Sequence, residues 1–207
     1  IVEGYMDVIS LFQNNFKTSV APLGTALTSY QLQRAWKVCN SPIIMFDGDE
    51  AGKKATERAA VLALSNISSD LSARFCILPS DYDPDEFLLQ NSPEELKKTL
   101  NNSYSLSEFI WKVELEKQDI STPEKKAGFE KRIKAMTSKI EDQTVRDYYI
   151  KEFNDKINVL KRPHFQKNAS YSRYIDNKVS KEITNSDRVN QSSHDSVVRE
   201  KIILMHV

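Results

Sequence analysis

Residues 42–46 read Pro-Ile-Ile-Met-Phe, apolar without interruption, and Asp47, Gly48 and Asp49 follow at once. A strand with one wet face alternates apolar and polar side chains. One that is apolar throughout is covered on both faces, as in a parallel sheet. Parallel neighbours need a crossover connection, usually a helix. Such helices are present. "EAGKKATERAAVLALS" places Ala51, Ala55, Ala59 and Leu62 on one side, and "ARFCILP" is the next strand candidate. Upstream, "IVEG" leads into "YMDVISLFQNN", where Tyr5, Val8, Ile9 and Phe12 share one helical face. "KTSVAPLG" is another strand candidate. "TSYQLQRAWKVC" opens on Thr28 with Gln31 three residues on, a capping box, and carries Leu32, Ala35, Trp36 and Cys39 at helical spacing. Strands alternating with helices predict an α/β fold with a mostly parallel sheet flanked by helices.

From residue 92 the pattern changes. Ser92, Pro93 and Glu95 form a helix start, as do Thr122 and Pro123. Phe129, Ile133, Met136 and Ile140 make one apolar stripe; Val145, Tyr149, Phe153 and Ile157 make a second. No strand candidate interrupts them, so the segment reads as a helical bundle whose stripes are core. Residues 164–194 are polar and lack an apolar face, as a linker does. "SVVREKIILMHV" then restarts an apolar helix. The expected organisation is an α/β core over 1–91, a helical bundle over 92–163, a polar linker over 164–194, and the start of a further domain over 195–207. The chain opens on the tail of a strand and stops inside a helix, so it is expected to be cut at both ends.

The chain has 29 basic and 29 acidic side chains among 207 residues, for a net charge of zero. A nucleic-acid binder usually shows a basic excess, so any such surface is expected elsewhere in a longer chain. Cys39 and Cys76 stand alone with no CxxC pair, which argues against a zinc site and for two thiols in a reducing cytosol. His164, His194 and His206 fall in or beyond the linker and read as surface residues. No apolar run reaches the ~20 residues that cross a bilayer, and no signal peptide is visible.

Three strand candidates finish in acid: "IVEG" at Glu3, "IIMFDGD" at Asp47 and Asp49, and the run through "DYDPDE" at Asp83 and Asp85. In an open parallel sheet, ligands bind beyond the carboxyl ends of the strands. Asp47 and Asp49 are two apart, so in extended chain they point to one side. Like charges this close need protons or a counter-charge, and a divalent cation with oxygen ligands is the natural one. The competing reading is that acidic turns cap helices.

Taken together, "EGYMDVISL", "LGTALTSYQ", "FDGDEAGKKA" and "LPSDYDPDEFL" resemble, in order and spacing, the Toprim core of bacterial DnaG-type DNA primase. The resemblance covers roughly residues 1–90. It implies a metal-dependent polymerase that makes short RNA primers on single-stranded DNA from ribonucleoside triphosphates, using Mg²⁺ or Mn²⁺. It implies metal ligation by Glu3, Asp47 and Asp49, with Glu3 also able to act in acid–base chemistry. Asp7, Asp83 and Asp85 match further acidic positions. Gly24 and Thr25 match a loop beside the site. Lys53, Lys54 and Arg58 could meet phosphates or simply form a solvated helix face. The family's zinc domain and basic template-gripping subdomain have no counterpart in the chain, and residues 195–207 look like the start of a helicase-binding domain. The resemblance further implies a cytoplasmic replication protein with a replicative helicase as partner, and no membrane. Toprim domains also occur in topoisomerases and nucleases, where a tyrosine nucleophile would be needed in the former; Tyr5 reads as packing. A third expectation is that these residues alone fold with little or no activity.

Overall fold

The computed structural model describes residues 1–79 and 82–161. Residues 195–207, the polar run before them and the three histidines lie outside these. The compact unit that holds the acidic residues and the sheet takes in Ile1–Phe153.

Helix α1 spans Tyr5–Gln13 and α2 spans Ser29–Trp36. Strand β1, Ile43–Ile44, precedes α3, Glu50–Asn66; β2 is Arg74–Phe75. Then come α4 (Pro84–Gln90), α5 (Pro93–Asn101), β3 (Tyr104–Ser105), α6 (Leu106–Glu116), α7 (Pro123–Thr137) and α8 (Gln143–Lys161). The sheet order is β1-β2-β3. β1 and β2 run parallel, with Ile43 opposite Arg74 and Ile44 opposite Phe75, across the crossover that α3 provides. The "IVEG" and "KTSVAPLG" segments form no assigned strand, yet they extend the ladder. The Ile1 amine donates to the Ile43 carbonyl, the Met45 N–H to the Ile1 carbonyl, and the Val2 N–H to the Val20 carbonyl.

The capping signals are realised as the sequence predicts. The Thr28 hydroxyl accepts the Gln31 N–H while the Gln31 side chain takes the Thr28 N–H at 2.9 Å. Ser92 and Glu95 do the same for α5, and Thr122 caps α7 above Pro123. Such caps satisfy N–H groups that the first turn leaves unpaired.

Three expectations need correction. First, a strand does interrupt the helical segment: β3 pairs antiparallel with β2, Tyr104 opposite Phe75 and Ser105 opposite Arg74. The edge is reinforced by the Arg74 guanidinium, which donates to the carbonyls of Asn101 and Ser103. Second, α1 buries Asp7 and Leu11, while Tyr5, Met6, Ile9 and Phe12 are exposed, Tyr5 at 62%. Three of the stripe's four residues therefore face outward, with Val8 packed against the core, and Tyr5 is not packing. The helix is turned so that its carboxylate faces the sheet end. Third, α3 buries Gly52, Thr56, Ala59, Ala60, Ala63 and Leu64; of the predicted face only Ala59 is fully buried, and Ala51 is exposed.

Two apolar clusters hold the unit together. Val2, Leu11, Met45, Cys76, Leu78, Phe87, Leu88 and Leu96 form one below the sheet ends, with Leu100 packed against them. Leu96 and Leu100 lie on α5, so this core runs past residue 91. In the other, Phe75 stacks on Phe109 at 4.5 Å between centroids, and Trp111 meets Phe129 edge-on at 5.2 Å and Phe153 at 6.0 Å. Phe129, Ile133, Ile140, Phe153 and Ile157 are buried, so the two predicted stripes are core. Among the described residues both cysteines are free, Cys76 buried and Cys39 half-buried, and no helix is long and apolar enough to cross a membrane.

Candidate metal centre

Three helix starts bring the six acids together. Glu3 ends the extended N-terminal segment, directly before α1. Asp7 sits in the first turn of α1, where its Oδ2 accepts the Gly4 N–H at 2.9 Å. Asp47 follows Phe46 beyond β1. Asp49 is the N-cap of α3, its Oδ1 accepting the Gly52 N–H at 2.6 Å. Asp83 is the N-cap of α4, its Oδ1 accepting the Glu86 N–H at 2.8 Å, and Asp85 lies in the first turn of that helix. The Gly48 N–H donates to the Tyr82 carbonyl at 2.8 Å, tying the Asp47–Asp49 turn to the one that carries Asp83.

The capping reading of the acids is thus correct for Asp49 and Asp83, and it does not compete with a ligand role. Each cap commits one carboxylate oxygen and leaves the other. Ligand atoms of Asp7, Asp83 and Asp85 all lie within 4.8 Å of one another, and this is the set among the described residues that closes to metal-ligand spacing. Glu3, Asp47 and Asp49 stand beside it, coupled through their charges.

That coupling is visible in the proton affinities. Burial, then the charges of Glu3, Asp7, Asp83 and Asp49, push Asp47 up to about 7. Glu3 is raised by burial and by Asp49 and Asp7, with the Asp47 N–H and Arg58 pulling the other way. Burial raises Asp7, against hydrogen bonds from the Gly4 and Asp85 backbone. A hydrogen bond shared with Asp83 is the main cause that takes Asp85 to about 6. Every one of these shifts favours the neutral acid, which is what an acidic cluster does when no cation balances it.

The donor set fits a hard divalent cation. Glu3 Oε1 and Asp47 Oδ1 are buried with no hydrogen-bond partner. A buried carboxylate oxygen can only accept, so it asks for a proton or a metal. The set is all oxygen, which suits Mg²⁺ or Mn²⁺ and not the sulfur- and imidazole-seeking metals.

On the other side of Glu3 lies a cavity of ≈ 290 Å³. Gly24, Thr25 and Arg58 line it together with Glu3, so the structure gathers these three sequence candidates at one place. The loop that supplies Gly24 turns through left-handed backbone at Leu23 and Gly24, φ 45° and 68°. Lys53 pairs with Glu50 at 3.0 Å on the exposed face of α3, and Lys54, also exposed, does not line the cavity. The rest of the wall was not singled out in sequence: Leu27, Phe46, Ala55 and Ala59 carry no chemistry of their own, and only their apolar spacing hinted at burial.

Two family models match the chain in succession. A Toprim-like model covers residues 1–88, and a model described as the DnaB-helicase binding domain of primase covers residues 107–162. The DNA primase of Rickettsia typhi is 40% identical over 157 residues. The chain belongs to the DnaG-type primase family. It spans about a quarter of the length of such relatives: the match covers 76% of this chain and 26% of the R. typhi primase. Among solved structures, the Escherichia coli primase catalytic core superposes with a TM-score of 0.68 at 32% identity, over 75% of this chain and 50% of that one. A DnaG primase catalytic domain bound to single-stranded DNA gives 0.67 at 31%, over 74% and 50%. The helicase-binding match falls on α6–α8, upstream of residues 195–207 where the sequence reading looked for such a domain.

Proposed function

We propose that this chain carries the acidic part of the catalytic centre of a DNA primase, which builds short RNA primers on single-stranded DNA from ribonucleoside triphosphates. The observation that carries the reading is the pair of buried carboxylate oxygens without donors, Glu3 Oε1 and Asp47 Oδ1, within a cluster of six acids. That all the relatives named above are primases supports it over a topoisomerase or a nuclease.

In this reading Mg²⁺ or Mn²⁺ is the cofactor, and when bound it would lower the barrier to displacement at a nucleotide phosphate by balancing the negative charge there. Glu3, Asp47 and Asp49, with Asp7, Asp83 and Asp85 beside them, would hold it. Asp49 and Asp83 are held by their caps, so their remaining oxygens are pre-positioned. Glu3, raised in proton affinity and open to the cavity, is the residue placed to take the proton of an attacking hydroxyl. Gly24, Thr25 and Arg58 would face the nucleotide, and Lys53 and Lys54 the phosphates of template or primer. Zinc belongs only to the family's separate N-terminal domain. The replicative helicase is the expected protein partner, and the cytoplasm the expected location. Residues 92–163 would act as a helical subdomain, 164–194 as its tether, and 195–207 as the start of the next domain. With no net charge to neutralise template phosphates, these residues alone should prime weakly or not at all.

The test is primer synthesis by the complete enzyme carrying Asp47→Ala or Asp49→Ala. Both should abolish it; near-normal synthesis in both would sink the assignment.

A further inference from the structure

We infer that one face of α2, carrying Tyr30, Arg34 and Lys37, binds the unpaired template strand outside the acidic centre. The inference rests on the primase reading for the kind of strand, and it concerns a surface to which that reading gives no task.

The first observation is a gap in the acids. Residues 8–46 contain no aspartate or glutamate, whereas 29 acids among 207 residues would place about five in a run of that length. The charges present are Lys17, Arg34 and Lys37, all positive and all exposed. None of the three has an acidic partner within 4.0 Å among the described residues. The carboxylates at the sheet ends repel a phosphate backbone. In a chain of zero net charge, such a backbone is held by a local basic excess of this kind.

The second observation is a ring. Tyr30 is 67% exposed and contributes nothing to the core. The Arg34 guanidinium lies over it, 5.6 Å from the ring centroid. Lys37, the C-cap, follows at the next turn of the same face. Cations near a helix C-terminus suit the helix itself, but that does not account for an exposed aromatic beside them. A ring with a guanidinium against it and the rest open is a platform on which a base stacks while the cations take the flanking phosphates.

The third observation is position. α2 starts after Thr28, next to the 22–27 loop, and the Gln31 amide donates to the Pro22 carbonyl at 3.4 Å. That loop and Glu3 line one cavity, so the face leads away from the acidic centre. With eight residues α2 is about 12 Å long, enough for one stacked base and its neighbouring phosphates. The template is the strand that fits. Its bases are unpaired and can open onto a ring, whereas those of a primer are paired to it. An acidic peptide would satisfy the cations and leave the ring unused.

The experiment is fluorescence anisotropy of a short labelled oligothymidylate with this 207-residue chain, in chelator and at low salt. Tyr30→Ala should weaken binding on the order of tenfold, and Tyr30→Trp should keep it. Arg34→Ala combined with Lys37→Ala should flatten the slope of log affinity against log salt by about 1.4. Tyr148→Ala, which removes an exposed ring on α8, should change nothing. Unchanged affinity in Tyr30→Ala, or an unchanged slope in the double variant, would overturn the inference. So would the absence of any binding, or tighter binding of the same strand paired into an RNA–DNA hybrid. Short polyglutamate competing as well as unlabelled oligothymidylate would assign the face to an acidic protein segment and overturn it too. The three side chains are exposed, so the variants should melt with the unaltered chain; should Tyr30→Ala not fold, Tyr30→Trp and the salt slope still decide. In chelator no metal bridges the strand to the carboxylates, so the result stands apart from Asp47→Ala and Asp49→Ala, which test primer synthesis.

Discussion

Gly52 stands so close to Asp47 that a Cβ placed on it would lie 2.3 Å from the Asp47 carbonyl oxygen and 2.8 Å from the Asp47 Cβ. The first turn of α3 rests directly on the residue most perturbed by its neighbours. The neighbour is backbone and cannot swing aside. Gly52→Ala should therefore destabilise the chain by on the order of 1–3 kcal/mol and move Asp47. The check is denaturant unfolding together with Mn²⁺ affinity; an unchanged affinity would mean that the contact does not set the carboxylate's position.

The metal-free chain should lose stability as pH rises from about 4 towards 7. Asp47 goes from its ordinary 3.8 in the unfolded chain to about 7 in the fold, so across that window the native state holds the extra proton. Raising the pH strips it and leaves a buried charge among like charges. Melting curves in chelator should show the fall, and Mg²⁺ or Mn²⁺ above pH 7 should reverse it.

Asp47→Asn follows from the same imbalance. Removing the charge should raise the metal-free melting temperature at pH 8 by roughly 2–4 °C while abolishing tight Mn²⁺ binding. A drop in both quantities would show that Asp47 supports the fold as a carboxylate.

Asp83 has two roles that one pair of substitutions separates. Asp83→Ser keeps a side-chain oxygen at the α4 N-cap; Asp83→Ala removes it. Alanine should cost about 1 kcal/mol more than serine. Both should weaken the metal equally, since both remove the carboxylate near Asp7 and Asp85. Calorimetry and Mn²⁺ titration of the two variants read the two effects apart.

Trp111→Ala should cost about 3–5 kcal/mol, because the ring is buried between Phe129 and Phe153. Any variant that remains folded should bind Mn²⁺ as the unaltered chain does, the ring being remote from the acidic turns in sequence and in its contacts.

How legible these features were depends on the range of the forces behind them. Thr28, Ser92 and Thr122 announce their helices because a cap is decided within four residues. The acids at 3, 47, 49, 83 and 85 were legible as strand ends. The face of α1 was not. Of its best apolar stripe, Tyr5, Ile9 and Phe12 point outward because burying Asp7 beside the other acids takes precedence, a conflict of local pattern with fold that marks functional sites. Strand β3 is two residues long and too short for alternation to register. The cavity wall was illegible for another reason: alanines at 55 and 59 look like any helix core until the loop opposite them is in place.

The sharing of Leu96 between α5 and the sheet-end core has a practical consequence for anyone cutting this protein into pieces. A polypeptide stopped after residue 91, where composition changes, would keep every carboxylate. It would also lose the plug beneath Val2 and Met45, and with β3 gone the free flank of Arg74–Phe75 would be left as an unguarded strand edge. Such edges recruit other chains. The smallest soluble piece that carries the acidic site should therefore extend through at least Ser105, and the shorter one should be found in inclusion bodies.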